Sequence, residues 1–203
     1  MLISPPPRLG LSAFTLRAWS VADAAPLRAA LAASEAHLRA WTPWVLDGRV
    51  PGLPLEERLA QHAAAFSAGT EWVYGLFGPD GATVLGACGL YPRVGPDAVE
   101  LGYWLAAAHT GRGLATRAAA ALTRVAFDSP AVARVEIHCD PRNAASARVP
   151  GRLGYRVAKT AGAQGALMVW QLSRAEFAER SPEFDATCEG RLSAAPSARE
   201  RPR

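Results

Sequence analysis

Apolar and polar positions along the chain follow two rhythms, a period of two that marks half-covered strands and a period near 3.6 that marks helices with one covered face. Residues 13–18 alternate as a first strand. Ser20 and Asp23 have the spacing of a capping box and open a helix that turns Leu27, Leu31 and Leu38 inward. Pro51 to Pro54 marks a turn, after which Pro54 starts a second helix that ends near Gly69 and keeps Glu56, Glu57 and Arg58 on its wet face. Residues 71–77 and 83–91, joined by Gly78-Pro-Asp-Gly81, read as an antiparallel hairpin, and residues 98–105 add a third strand to it.

The pattern then changes period inside one short stretch. An apolar strand ends at Leu105, two glycines follow at Gly111 and Gly113, and an alanine-rich helix runs from Leu114 to Phe127. Residues 131–139 alternate again, with Val135, Ile137 and Cys139 on one face and Glu136 and His138 on the other. Strand, loop, helix and strand in this order make a βαβ unit with parallel neighbours. Glycine lets the backbone bend sharply and approach a ligand. The first amides of the helix, near Gly113 to Thr116, have no intrahelical acceptor and suit an anion, with Arg112 adding charge. Two glycines in such a place also occur in a plain tight connection.

Further on, Asn143 is a good N-cap for a short helix stopped by Gly154, two strands are expected at 155–159 and 166–172, and a helical turn at 174–179. The rhythm is lost from Ser181 onward. This divides the chain into an N-terminal extension, residues 1–12, one domain, residues 13–180, and a disordered tail, residues 181–203.

Composition narrows the chemistry. The 203 residues are half hydrophobic, enough for one filled core, and no apolar run approaches the roughly 20 residues of a membrane helix. The start lacks a charged signal-peptide region, so a soluble cytoplasmic protein is expected. Cys88, Cys139 and Cys188 suggest buried free thiols, and His37, His62, His109 and His138 lack paired ligand spacing, so no metal is expected. A net charge of +4 with dispersed basic residues suits a small polyanion better than nucleic acid.

Thr110-Gly-Arg-Gly-Leu-Ala115 resembles the Gln/Arg-x-x-Gly-x-Gly/Ala loop of GNAT acetyltransferases, with Thr110 in the Gln/Arg place; in that family the loop holds the pyrophosphate of acetyl-CoA. The P-loop and dinucleotide fingerprints fit worse, because no Gly-Lys-Ser/Thr follows and the glycine spacing differs. Glu100-Leu-Gly-Tyr-Trp104, Asn143-Ala-Ala-Ser146 and Leu153-Gly-Tyr155 stand in the order found in the RimJ/RimL-like branch, which acetylates ribosomal-protein N-termini. The resemblance covers about residues 13–173. It implies the GNAT acyl-CoA N-acyltransferase fold, α/β (α+β), with a mixed central sheet of about six to seven strands flanked by helices.

The same resemblance implies direct transfer of the acetyl group from acetyl-CoA to a primary amine, either a peptide α-amine or a small molecule such as an antibiotic. Coenzyme contacts fall on Trp104, Leu105, Thr110, Gly111, Arg112, Gly113, Leu114, Ala115, Thr116, Asn143 and Ser146. Glu100 is the expected general base, held partly buried beside Tyr103 and Trp104 where desolvation favours its neutral form, unless it pairs with an arginine. His138 is the reserve base. Many relatives place a tyrosine seven residues after the Asn, but Pro150 stands there; the RimL-like serine, Ser146, is the alternative proton donor to the leaving thiolate. Cys139 coincides with a cysteine near the thiol in RimL-like enzymes. Arg117 replaces a common glutamate and either strengthens the positive end facing phosphate or is solvated. Trp41, Trp44, Trp72, Tyr91 and Glu100 are the candidate acceptor-binding residues. A homodimer is left open. The rival reading, kept alive by Pro150, is a non-catalytic acyl-CoA-binding module.

Overall fold

A computed structural model describes residues 3–47, 52–161 and 167–189. Pro51, Ala166 and residues 190–203 of the expected tail lie outside the described residues. Strands β1 (Arg8–Leu11), β2 (Phe14–Ala18), β3 (Trp72–Phe77), β4 (Val84–Tyr91), β5 (Ala98–Leu105), β6 (Arg134–Cys139), β7 (Arg156–Ala161) and β8 (Leu167–Ser173) form one sheet in the order β1-β2-β3-β4-β5-β6-β8-β7. Every neighbouring pair is antiparallel except β5 with β6. The fold class is as expected, with a larger sheet, because residues 8–11 of the supposed N-terminal extension pair with β2 from Arg8 opposite Arg17 to Leu11 opposite Phe14.

Helices cover both faces. On one lie α1 (Ala24–Ala33), α2 (Glu35–Trp41), α3 (Pro43–Asp47) and α4 (Leu55–Ala68), with α1 against β4 and α4 against β3. On the other, α5 (Leu114–Phe127) crosses β4, β5 and β6 and touches α6 (Ala144–Arg152) and α7 (Arg174–Cys188). Alanine suits α5 on two counts: it has the highest helix propensity, and its small side chain lets the helix lie close to the sheet. Ala118, Ala119, Ala120, Leu122 and Ala126 are wholly covered. Burying Leu122 alone contributes about 1.5–3 kcal/mol.

Two helices depart from the sequence reading. The capping box of Ser20 and Asp23 forms, but it opens a 3-10 turn (Val21–Asp23) that leads into α1, and the helix expected to reach Leu38 breaks at Ser34. Ser34 is buried and its Oγ accepts the Ala107 N–H at 3.0 Å, a tertiary bond that ties the break to the exit of β5. At the other end of the chain, α7 continues to Cys188, so residues 181–188 are helical where a disordered tail was expected. Phe184 and Thr187 are buried, and Phe177 stacks on Phe127 of α5 with ring centroids 4.8 Å apart. No described helix is long and apolar enough to cross a membrane.

Candidate active site

β5 leaves the sheet through a 3-10 turn (Ala107–His109) that Thr110 closes by donating its hydroxyl to the Ala107 carbonyl at 3.0 Å. Gly111 and Gly113 then take φ of 73° and 74°, the left-handed region that side chains disfavour. A Cβ on either would meet nothing within 4 Å among the described residues, so there the space over the loop is open. No side chain among the described residues caps α5, and its first helical bond is from Arg117 N–H to Gly113 O. The amides of Leu114, Ala115 and Thr116 are therefore unmatched within the helix, next to exposed Arg112. The side chains of Leu114 and Thr116 are buried, leaving main chain as what these residues offer. Arg117 takes neither of its expected roles: it is buried, donates to Ser12 Oγ at 2.6 Å and lies over the Phe14 ring.

β5 and β6 pair only from Ala98–Arg134 to Glu100–Glu136. Beyond that point β5 stays on β4 as far as Leu105 opposite Gly86, while β6 stays on β8 as far as Cys139 opposite Met168. The two strands thus separate into a V, and a cavity of about 900 Å³ extends through it from the α1–α4 side to Asn143 and Ser146.

On the α5–α6 side of the V stand Tyr103, Cys139 and Ser146. Pro150 lies inside α6 and has no N–H, so it cannot supply the helical bond to the carbonyl four residues earlier. That carbonyl is Ser146 O, and the Tyr103 hydroxyl donates to it at 3.1 Å while lying 3.2 Å from Ser146 Oγ. Burial pushes the Tyr103 hydroxyl up, only partly offset by Ser146, so it stays protonated. Burial likewise pushes up the Cys139 thiol. Asn143 accepts the Ser146 N–H at 3.0 Å, acting as the cap read from the sequence.

On the opposite side, Glu100 is fixed by Arg93, whose Nε and Nη2 donate to its two oxygens at 2.8 and 2.7 Å. The arginine alternative for Glu100 is what the structure contains, and the lone desolvated carboxylate beside Tyr103 is not, since Tyr103 points to the other face. His138 Nδ1 lies 3.8 Å from Glu100 Oε2, and its Nε2 lies 2.7 Å from Glu136 Oε2. Burial alone would raise Glu136, but hydrogen bonds from His138, Arg134 and Gln171 outweigh it and hold the carboxyl below the usual range. An ionised carboxylate only accepts, so His138 Nε2–H donates to Glu136, and Nδ1 is the ring nitrogen that faces Glu100.

The α1–α4 end of the cavity is walled by those helices together with β3 and β4. Trp41, Trp44, Tyr91 and Glu100 line the cavity as expected. Trp72 does not: every residue of β3 is covered, and Trp72, 1% exposed, belongs to the core under α5. Trp104 faces this end, whereas Leu105 packs on the α5 side. Arg58, expected in solvent, donates to the carbonyls of Val45 and Leu46 at 2.8 and 3.2 Å and so pins α3 to α4. Sequence reasoning gave Tyr103 only the part of an aromatic neighbour to Glu100, and Glu136 none. Strand parity together with the proline four residues after Ser146 pointed to the first, and the parallel register of Glu100 with Glu136 to the second.

Residues 13–156 match the family model described as "Acetyltransferase (GNAT) domain", which is most of the chain, and the protein belongs to that family. Among curated proteins it is 35% identical over 78 residues to the uncharacterized protein YkkB of Bacillus subtilis (strain 168), a match covering 37% of this chain and 45% of that one, so it spans less than half of that relative. Its fold is similar to the ribosomal-protein-S5-alanine acetyltransferase of Vibrio fischeri, with a TM-score of 0.68, 18% identity and coverage of 82% of this chain and 96% of that one. It is also similar to the microcin C7 self-immunity acetyltransferase MccE, solved with acetyl-CoA and AMP, with a TM-score of 0.69, 17% identity and coverage of 80% and 93%.

Proposed function

We propose that the protein is a RimJ/RimL-like enzyme that moves an acetyl group directly to a primary amine within a ternary complex, the two substrates approaching from opposite faces of the V between β5 and β6. That separation is the observation that carries the reading, because it places a hydroxyl pair and a carboxylate-held imidazole on opposite faces of one opening. The open left-handed loop and the uncapped start of α5 support a fit of these residues to acetyl-CoA. When bound, the coenzyme supplies the acetyl group as an activated thioester. Thr110, Gly111, Arg112, Gly113 and the amides of Leu114, Ala115 and Thr116 would hold the diphosphate; main chain at Trp104 and Leu105, with Asn143, would orient the arm that follows.

Ser146 is the proton donor to the departing sulfur, and Tyr103 holds it in place with a hydroxyl that burial keeps protonated. Across the opening, Glu100 draws the amine in as an ammonium, and both of its oxygens being engaged by Arg93 favours His138 Nδ1 as the proton acceptor. Glu136 fixes the tautomer that makes Nδ1 available. The reading is checked by incubating the protein with labelled acetyl-CoA and a broad amine panel. Transfer to at least one amine is expected; tight coenzyme binding without any transfer favours the acyl-CoA-binding module instead.

A further inference from the structure

The acceptor end has a composition that the reaction itself does not require. Its walls carry Trp41, Trp44, Val45, Leu53, Leu55 and Val73, and Trp44 is 60% exposed although nothing polar in its side chain beyond the ring N–H gains from solvent. Exposed apolar area of this kind, concave and contiguous with a reacting centre, is what a ligand covers.

The charges there are matched. Glu100 is bound at two points by Arg93, and Glu71 adds its own charge beside the same guanidinium. Arg58, also lining the cavity, adds a second positive charge to that wall, in the field of Asp47. Asp140, at the far end of the V, is paired with Arg142 at 2.6 Å. A polycationic amine needs several carboxylates with potential to spare, and removing several ammonium groups from water without such partners is costly. One ammonium entering between Glu100 and His138 has a partner, and the remainder of the ligand then meets aromatic and aliphatic walls.

We propose that the acceptor is a singly charged primary amine carried on an apolar, preferably aromatic, body. Two sources share this chemistry: a peptide whose first residue is large and apolar, and a free aromatic monoamine. This rests on the acetyltransferase reading, and the experiment separates the two. Calorimetry on the CoA-loaded protein measures binding without turnover, for phenethylamine, for the peptide Phe-Ala-Ala-Ala-amide, for the same peptide led by Asp, and for kanamycin and spermidine; release of free thiol from acetyl-CoA then measures transfer.

Phenethylamine or the Phe-led peptide is expected to bind and react at least about 100-fold better in kcat/KM than kanamycin, spermidine or the Asp-led peptide, and the better of the two names the source. Trp44→Ala and Trp41→Ala should each raise the KM of that acceptor roughly tenfold and leave the KM of acetyl-CoA unchanged. Preferred binding of a polycation, equal binding of the Asp-led peptide, acceptor KM values indifferent to both tryptophans, or binding by none of the five probes would each overturn the proposal. Binding of the apolar amine without transfer would uphold it while refuting the acetyltransferase reading.

Discussion

The two ends of the cleft are made of different material. The proposed coenzyme end is main chain: two left-handed glycines, an uncapped helix start, and a strand edge released from its neighbour. The proposed acceptor end is side chain: tryptophans, leucines and charges contributed by the helices α1 to α4 and by strands β3, β4 and β5. A surface built from backbone constrains few residue identities, but it constrains those through φ. One built from side chains can be altered residue by residue while the fold stands. The first is therefore suited to a constant ligand and the second to a ligand that differs among relatives.

The sharpest way to break this contrast is at Gly111. Gly111→Val puts a branched side chain into a left-handed residue and into the open space above the loop, and acetyl-CoA affinity by calorimetry should fall by about 100-fold or more. Unchanged affinity would mean that the main-chain end lies elsewhere. Next in size is Ser146→Ala, for which kcat should fall by about 30-fold with the dissociation constant of CoA nearly constant; an unaltered rate removes Ser146 from the chemistry.

Glu136→Gln tests the opposite face and should lower kcat by about tenfold at constant acetyl-CoA KM. In a His138→Ala background the same change should cost almost nothing, because both residues then act through one imidazole. Additive losses would make Glu136 a structural residue only.

The smallest effect concerns the platform beneath the acceptor end. Burial would raise the Asp23 carboxyl, but Arg17, bound at 2.9 and 2.8 Å, and the Ser20 N–H outweigh it and hold it below its ordinary value of 3.8. A carboxyl lowered in the folded state stabilises above its unfolded pKa and loses that contribution as the pH falls through the folded one. Asp23→Asn should thus cost about 1–2 kcal/mol at neutral pH by denaturant titration, and the gap from the parent protein should close below pH of about 4.

What could be read without coordinates follows the same division. β5, α5 and the parallel partner β6 were legible because each is a contiguous run with one period, and the glycine loop because its geometry needs glycine. The break at Ser34 was not, since its cause is a hydrogen bond to Ala107 across the fold. β1 is four residues after a proline run, too short to show a period, and the last turns of α7 were hidden by Pro182 and a weakly sided composition. Trp72 looked like Trp41 and Trp44 in sequence, and only its place in a fully covered strand separates it from them.

Pro150 has one more consequence. By withholding an amide from Ser146 O it recruits Tyr103, and the resulting bond reaches from one jaw of the V to the helix beside the other. The gape of the cleft and the position of the Ser146 hydroxyl are therefore tied together by a single strut. On the proposed reading, a guest too thick for the gap would stretch that strut and draw the Ser146 hydroxyl off line, so cargo would be gauged by the same atom pair that helps discharge it.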